Sequence, residues 1–177
     1  MKKFLLIIFS LILLTACLPQ NRQELIINNI NMKLTSPVFI HNSNLPSQFT
    51  CDGQRINPPL EISEVPAATK SLALIVDDPD APVKTFVHWL VWNIDPKTEK
   101  IDANSIPASA KQGTTSAGKT GYFPPCPPSG THRYVFKLFA LDTLLSLTPN
   151  AGKDNLEQAM QGHILDSAEL IGLYKRQ

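Results

Sequence analysis

The chain has 177 residues, with 16 Lys and Arg against 15 Asp and Glu and a formal net charge of +1. That balance, with no basic stripe along the chain, argues against DNA or RNA as a partner. The length suits one domain once an N-terminal leader is set aside, and no internal repeat is visible.

That leader comes first. Lys2 and Lys3 form a basic start, residues 4–14 are an apolar run, and Leu14-Thr15-Ala16-Cys17 closes it. This is the pattern of a secretory signal. The run is too short to span a bilayer comfortably, which needs about 20 apolar residues. Leu-Thr-Ala-Cys resembles the bacterial lipobox, which implies cleavage before Cys17 and lipid on its thiol. The expected organisation is a signal peptide over 1–16, a lipidated Cys17 with a polar, Asn-rich tether to residue 31, and one folded domain over 32–177. Such a protein is anchored to a membrane rather than spanning it. Leu18 stands after the cysteine where an Asp would hint at inner-membrane retention, which points toward the outer membrane and its periplasmic side. Loss of Lys2 and Lys3 leaves 14 basic residues against 15 acidic. Any attraction for an anion must then be local.

Beyond the tether the candidate elements are short and β-like. Strands are expected at residues 33–35, 39–40, 60–62, 71–76, 87–94, 111–115 and 134–140. Glu64-Val65-Pro66-Ala67 reads as a turn, and residues 95–110 as a polar connection with little periodicity. The strand that holds His88 is apolar on both faces, as a covered central strand would be. Residues 153–161 read as a short helix with Asn150 as its cap and Leu156, Ala159 and Met160 on one face. From His163 onward the chain is densely apolar, and propensity alone would prolong that helix.

Two stretches carry chemistry. The first is Asp78-Pro79-Asp80-Ala81-Pro82, followed by His88-Trp89. The second is Pro124-Pro125-Cys126-Pro127-Pro128-Ser129-Gly130-Thr131-His132-Arg133-Tyr134. Prolines fix φ and restrict the residue before them, so the second stretch is a stiff rim and not a helix or central strand. Ser129-Gly130 ends it with a turn, and a strand pattern begins at Arg133. Strand side chains alternate faces. His132, Tyr134 and Phe136 share one face, Arg133 and Val135 the other. By the same alternation Trp89 faces away from His88 and is core. Imidazole N–H and phenol O–H donate to phosphate oxygens, so the set reads as a pocket for an anion. Carboxylates repel an anion. Asp78 therefore orients a histidine, stays protonated in a shielded pocket, or accepts from an ammonium group; the sequence does not choose among these.

In this order the two stretches resemble the phosphatidylethanolamine-binding protein family, in its bacterial Raf-kinase-inhibitor-like branch. The likeness takes in Phe49-Thr50-Cys51-Asp52-Gly53, Asn57-Pro58-Pro59-Leu60, Gly118-Lys119-Thr120-Gly121-Tyr122, and Gly162-His163 with Ala168-Glu169-Leu170-Ile171-Gly172-Leu173-Tyr174. It implies a mainly β domain, a large antiparallel-dominated sheet packed on a smaller one with one or two short helices, and a final strand near residues 170–174. It implies a ligand set of Asp78, His88, His132 and Tyr134, with Asp80 behind them and Pro127, Pro128 and Gly130 in the rim. It implies that Ala81-Pro82 is a candidate cis peptide and that Cys51 and Cys126 form a disulfide across the rim. Phe123 and Pro124 depart from the glycines often found there and would reshape the entrance. The helix that mammalian relatives fold over the pocket is absent. Arg133 reads as one half of a partly buried structural ion pair, and His163 and Glu169 as structural.

The expected function is non-catalytic binding of a phosphate-bearing head group or other small anion in the cell envelope, with no cofactor and no metal. The resemblance also admits a protein-inhibiting module with a protease or other protein partner. A hydrolase would cast Cys126 or Ser129 as nucleophile and His132 as base. It lacks an oxyanion site and a strand–elbow context.

Overall fold

The computed structural model describes residues 31–176. The expected signal peptide, the lipidated Cys17 and almost all of the tether lie outside the described residues. Among those residues no helix is long and apolar enough to cross a membrane.

Among the described residues the domain has nine strands and one α-helix. They are β1 (Lys33–Thr35), β2 (Ser43–Asn44), β3 (Leu60–Ser63), β4 (Ser71–Asp78), β5 (Phe86–Ile94), β6 (Lys100–Ile101), β7 (Lys111–Gln112), β8 (His132–Leu141), α1 (Lys153–Met160) and β9 (Ile164–Tyr174). A small sheet has the order β1-β3-β6 and a large one the order β2-β9-β8-β4-β5-β7. Every pairing is antiparallel except β2 with β9. The fold is therefore the mainly β, two-sheet architecture that the sequence suggested.

Burial explains the layers. All eight residues of β4 are buried, because apolar material covers both of its faces. Leu72, Leu74 and Val76 join Trp89, Tyr134, Phe136 and Leu138 in the larger core, together with Leu34, Leu60 and Ile62 of the small sheet. Ala73 and Ile75 face a second core with Trp92, Leu156 and Met160, where α1 closes the far side. Each such side chain withdrawn from water contributes about 1.5–3 kcal/mol before the opposing entropy is counted.

Several expected elements change. Residues 39–40 form no strand. Phe39 is instead a core plug against Phe136, ring centroids 5.8 Å apart, while Ile40 is exposed. The polar connection contains β6. The strand expected at 111–115 stops at Gln112, since the Thr114 N–H turns to the Ala151 carbonyl. The N-cap of α1 is Gly152 rather than Asn150. The helix does not run on because Gly162 adopts φ +76°, a left-handed stop that glycine tolerates. The His163 carbonyl then accepts the Asp142 N–H, which delivers the chain to β8. The last strand therefore starts at Ile164, six residues before the expected start.

One irregularity positions the site. Val76 pairs with Trp89 but Asp77 pairs with Val87, so the register shifts there. His88 is the extra residue of a β-bulge, a feature that re-aims side chains. His88 and Trp89 therefore do not face opposite ways as strict alternation required. Trp89 is still core, at 1% exposure, and its Nε1–H donates to Gln112 Oε1 at 2.7 Å.

Candidate binding site

Antiparallel pairing brings three strand ends together. β4 ends at Asp78 where β5 and β8 begin, with Asp78 opposite Phe86 and Asp77 opposite Val135. A cavity of about 140 Å³ opens there, lined by Asp78, Ala81, Pro82, Phe86, His88, Phe123, Cys126, Pro127, Pro128, His132 and Tyr134. Residues from both sequence stretches thus share one cavity. A wider hollow of about 820 Å³ lies over the small sheet, but exposed Thr35, Glu61, Lys97, Glu99 and Lys100 line it. It holds none of the buried unpaired polar atoms that mark the smaller cavity.

Polar side chains form the base. His132 Nδ1 lies 2.7 Å from Asp78 Oδ2, and the Asp80 N–H donates to Asp78 Oδ1 at 2.8 Å. Asp78 is thereby placed for the first of its three open roles, orienting His132. His88 Nδ1 lies 2.7 Å from the Phe123 carbonyl oxygen, and the Phe123 N–H returns a bond to the His88 carbonyl at 2.8 Å. Ring and rim are clasped at two points. His88 stacks edge-on to Tyr134 at 5.2 Å and tilts against Phe86 at 4.9 Å. Burial holds the His88 imidazole below its ordinary pKa, with the Phe123 carbonyl and Asp78 opposing. Burial, then the nearby Asp78, pushes the Tyr134 phenol up, so it stays protonated.

Two atoms stand out. His88 Nε2 and the Tyr134 hydroxyl are buried with no hydrogen-bond partner. An unpaired buried polar atom costs about 1–3 kcal/mol, so native chains rarely keep two together without a use.

The rim is fixed from outside. Cys51 and Cys126 are joined by a disulfide, with Cα atoms 5.3 Å apart. The Cys51 N–H donates to the Pro125 carbonyl at 2.9 Å. Asp52, next in the chain, accepts from the Tyr174 hydroxyl at 2.8 Å and pairs with Arg176. Loop, rim and the end of β9 thus hold one another.

Other expectations need correction. Asp80 does not line the cavity; its carboxylate faces Arg133 and takes bonds from the backbone N–H, Nε and Nη2 at 2.9, 2.9 and 2.7 Å. Arg133 holds the Asp80 carboxyl down at about 2. The Arg133 side chain is 53% exposed, so this pair is a surface brace and not a partly buried one. Gly130 is exposed at φ +70° and also lies outside the lining. It turns the chain out of the rim and into β8, a conformation that glycine allows. Ala81-Pro82 is trans, since no cis peptide occurs among the described residues. Pro128 does line the cavity, beside Pro127. Phe86 is a wall that sequence reasoning missed. It opens a covered strand two residues before His88, and the alternation that sets 86 and 88 on one face was the available signal. His163 bonds Asp142, and Glu169 sits within β9.

Comparison with known proteins agrees with this fold. The model of the family described as phosphatidylethanolamine-binding protein matches residues 35–175. A UPF0098 protein of Methanothermobacter thermautotrophicus is 49% identical over 82% of this chain and 99% of its own length. One of Chlamydia muridarum is 43% identical over 82% and 99%. Among solved structures, a phosphatidylethanolamine-binding protein homolog of Chlamydia trachomatis superposes with a TM-score of 0.81 at 41% identity, covering 84% of this chain and 99% of that one. YbcL of Escherichia coli, described as a member of the mammalian family, superposes with 0.78 at 28% identity, covering 83% and 99%. The chain belongs to the phosphatidylethanolamine-binding protein family.

Proposed function

We propose that the protein is a non-catalytic receptor for a small phosphate-bearing anion, held in the bacterial envelope by lipid on Cys17. One observation supports the pocket reading above the rest: two unpaired polar atoms, His88 Nε2 and the Tyr134 hydroxyl, are buried beside an imidazole already oriented by Asp78. A guest that bonds to them relieves the cost of leaving them empty. Size sets the class of guest. Drug-sized ligands occupy clefts of roughly 300–1,000 Å³; about 140 Å³ suits a head group or a free phosphate and leaves any longer tail outside. The envelope placement rests on the leader and Cys17 alone.

Thermal unfolding with millimolar inorganic phosphate and phosphoethanolamine tests the reading. A guest present at 100 times its Kd adds about 2.7 kcal/mol to the folded state, which is read as a rise in Tm. His132→Ala should abolish the rise. Absence of stabilisation by either compound in the wild-type protein would remove the proposal. Radiolabelled palmitate incorporation, lost in Cys17→Ser, checks the anchor.

A further inference from the structure

The two histidines do not offer a guest the same chemistry. The Phe123 oxygen that His88 Nδ1 meets at 2.7 Å is a carbonyl, which only accepts. Nδ1 therefore carries the hydrogen, and the neutral ring turns a lone pair at Nε2. That atom is buried and unpartnered. The sequence had cast both imidazoles as N–H donors; for His88 the geometry reverses the role. The groups around it leave the role intact. From β8 come the Tyr134 hydroxyl and His132, whose Nδ1 is tied to Asp78 of β4. Asp77 lies on the other face of β4, bound to Lys137 and Lys153. Asp80 is taken by Arg133 and Tyr174 of β9 by Asp52. Phe86, Phe123 and the oxidised Cys126 bring no charge. Among the described residues that line the cavity there is no lysine or arginine to set against Nε2. Its lone pair repels a bare anionic oxygen and bonds to one that carries hydrogen.

We propose that His88 makes the cavity select an oxyanion that brings its own hydrogen, inorganic phosphate or a phosphomonoester as the monoanion, over one that has none, such as sulfate or a phosphodiester. The proposal rests on the anion-receptor reading and specifies its guest. The P–OH donates to Nε2 while β8 donates to the other oxygens, and no covalent bond changes. Once the guest has lost that hydrogen, one proton must be taken up from water for it to bind. Affinity then falls about tenfold per pH unit above the second ionisation of the guest, near pH 6 for a phosphomonoester.

Isothermal titration calorimetry with inorganic phosphate, methyl phosphate, dimethyl phosphate and sulfate, at pH 6 and pH 8, decides the matter. Phosphate and methyl phosphate are expected to bind at least about tenfold tighter than sulfate and dimethyl phosphate at pH 6, a gap of one hydrogen bond. At pH 8, methyl phosphate binding should take up about one proton, read from two buffers of different ionisation enthalpy. His88→Asn, whose amide turns an N–H to any oxygen, should bring phosphate and sulfate within about threefold of each other. Equal binding of phosphate and sulfate with no proton uptake would overturn the proposal while the anion-receptor reading stands. Failure of every oxyanion to bind would overturn both. Competition by ethylammonium against phosphate would also overturn it, because the acceptor would then serve a cation. Should His88→Asn not fold, the wild-type series is sufficient by itself, since selectivity and proton uptake are both read there.

Discussion

Asp77 and Asp78 are neighbours on one strand, yet their surroundings are opposite in kind. Asp77 is fully buried on the face that meets α1, and two ammonium groups complete it: Lys137 Nζ at 3.0 Å and Lys153 Nζ at 2.6 Å. Asp78 points to the other face, where it orients His132 but leaves His88 Nε2 and the Tyr134 hydroxyl unpaired nearby. A strand with both faces covered can finish one polar cluster for stability and leave the next unfinished for a guest. Pleating alone separates the two, because successive side chains leave opposite sides of the sheet.

The contrast can be broken most strongly on the finished side. The double variant Lys137→Met with Lys153→Met strands the buried Asp77 charge and should cost about 3–5 kcal/mol, read by urea denaturation. Phosphate affinity, measured where the variant is still folded, should stay close to wild type. On the unfinished side, Tyr134→Phe removes an unpaired hydroxyl. The empty protein should be unchanged or up to about 1 kcal/mol more stable, while phosphate binding weakens. A loss of stability without loss of binding would mean that Asp78 belongs to a finished cluster after all. The smallest effect is expected at the rim brace. Arg133 lowers the Asp80 carboxyl to about 2 in the folded chain, below the ordinary value near 3.9. The unfolded chain binds the proton more readily, so this stability is present above about pH 3.9 and disappears as pH falls toward 2. Wild type and Arg133→Ala should differ slightly at neutral pH, as exposed pairs do, and converge near pH 2 in acid unfolding curves.

The finished side was the less legible. Asp77 ends an apolar run and Lys137 interrupts another, but nothing along the chain ties them to Lys153, which lies 76 residues beyond Asp77. The long strands were plain because apolar residues fill both faces of β4 and β5. β2 and β6, two residues each, are too short to carry a period. At the site, alternation paired His132 with Tyr134, and the family likeness supplied their partners Asp78 and His88 and the Cys51–Cys126 bond. Neither revealed the tautomer of His88. A backbone carbonyl sets it, and every residue type at position 123 carries the same carbonyl. The bulge at His88 was equally hidden, since it arises from how β5 pairs with β4.

The collar of the cavity has a consequence of its own. Pro82, Pro127 and Pro128 stand there, and none has an amide hydrogen to offer. On the proposed reading a guest would be gripped only at its inner end, by side chains, while whatever trails outward would pass a sleeve poor in donors. Such a socket reads the plug and ignores the cable. Compounds that share one phosphorylated end should therefore bind alike, whether a sugar, an amine or an acyl chain hangs from it.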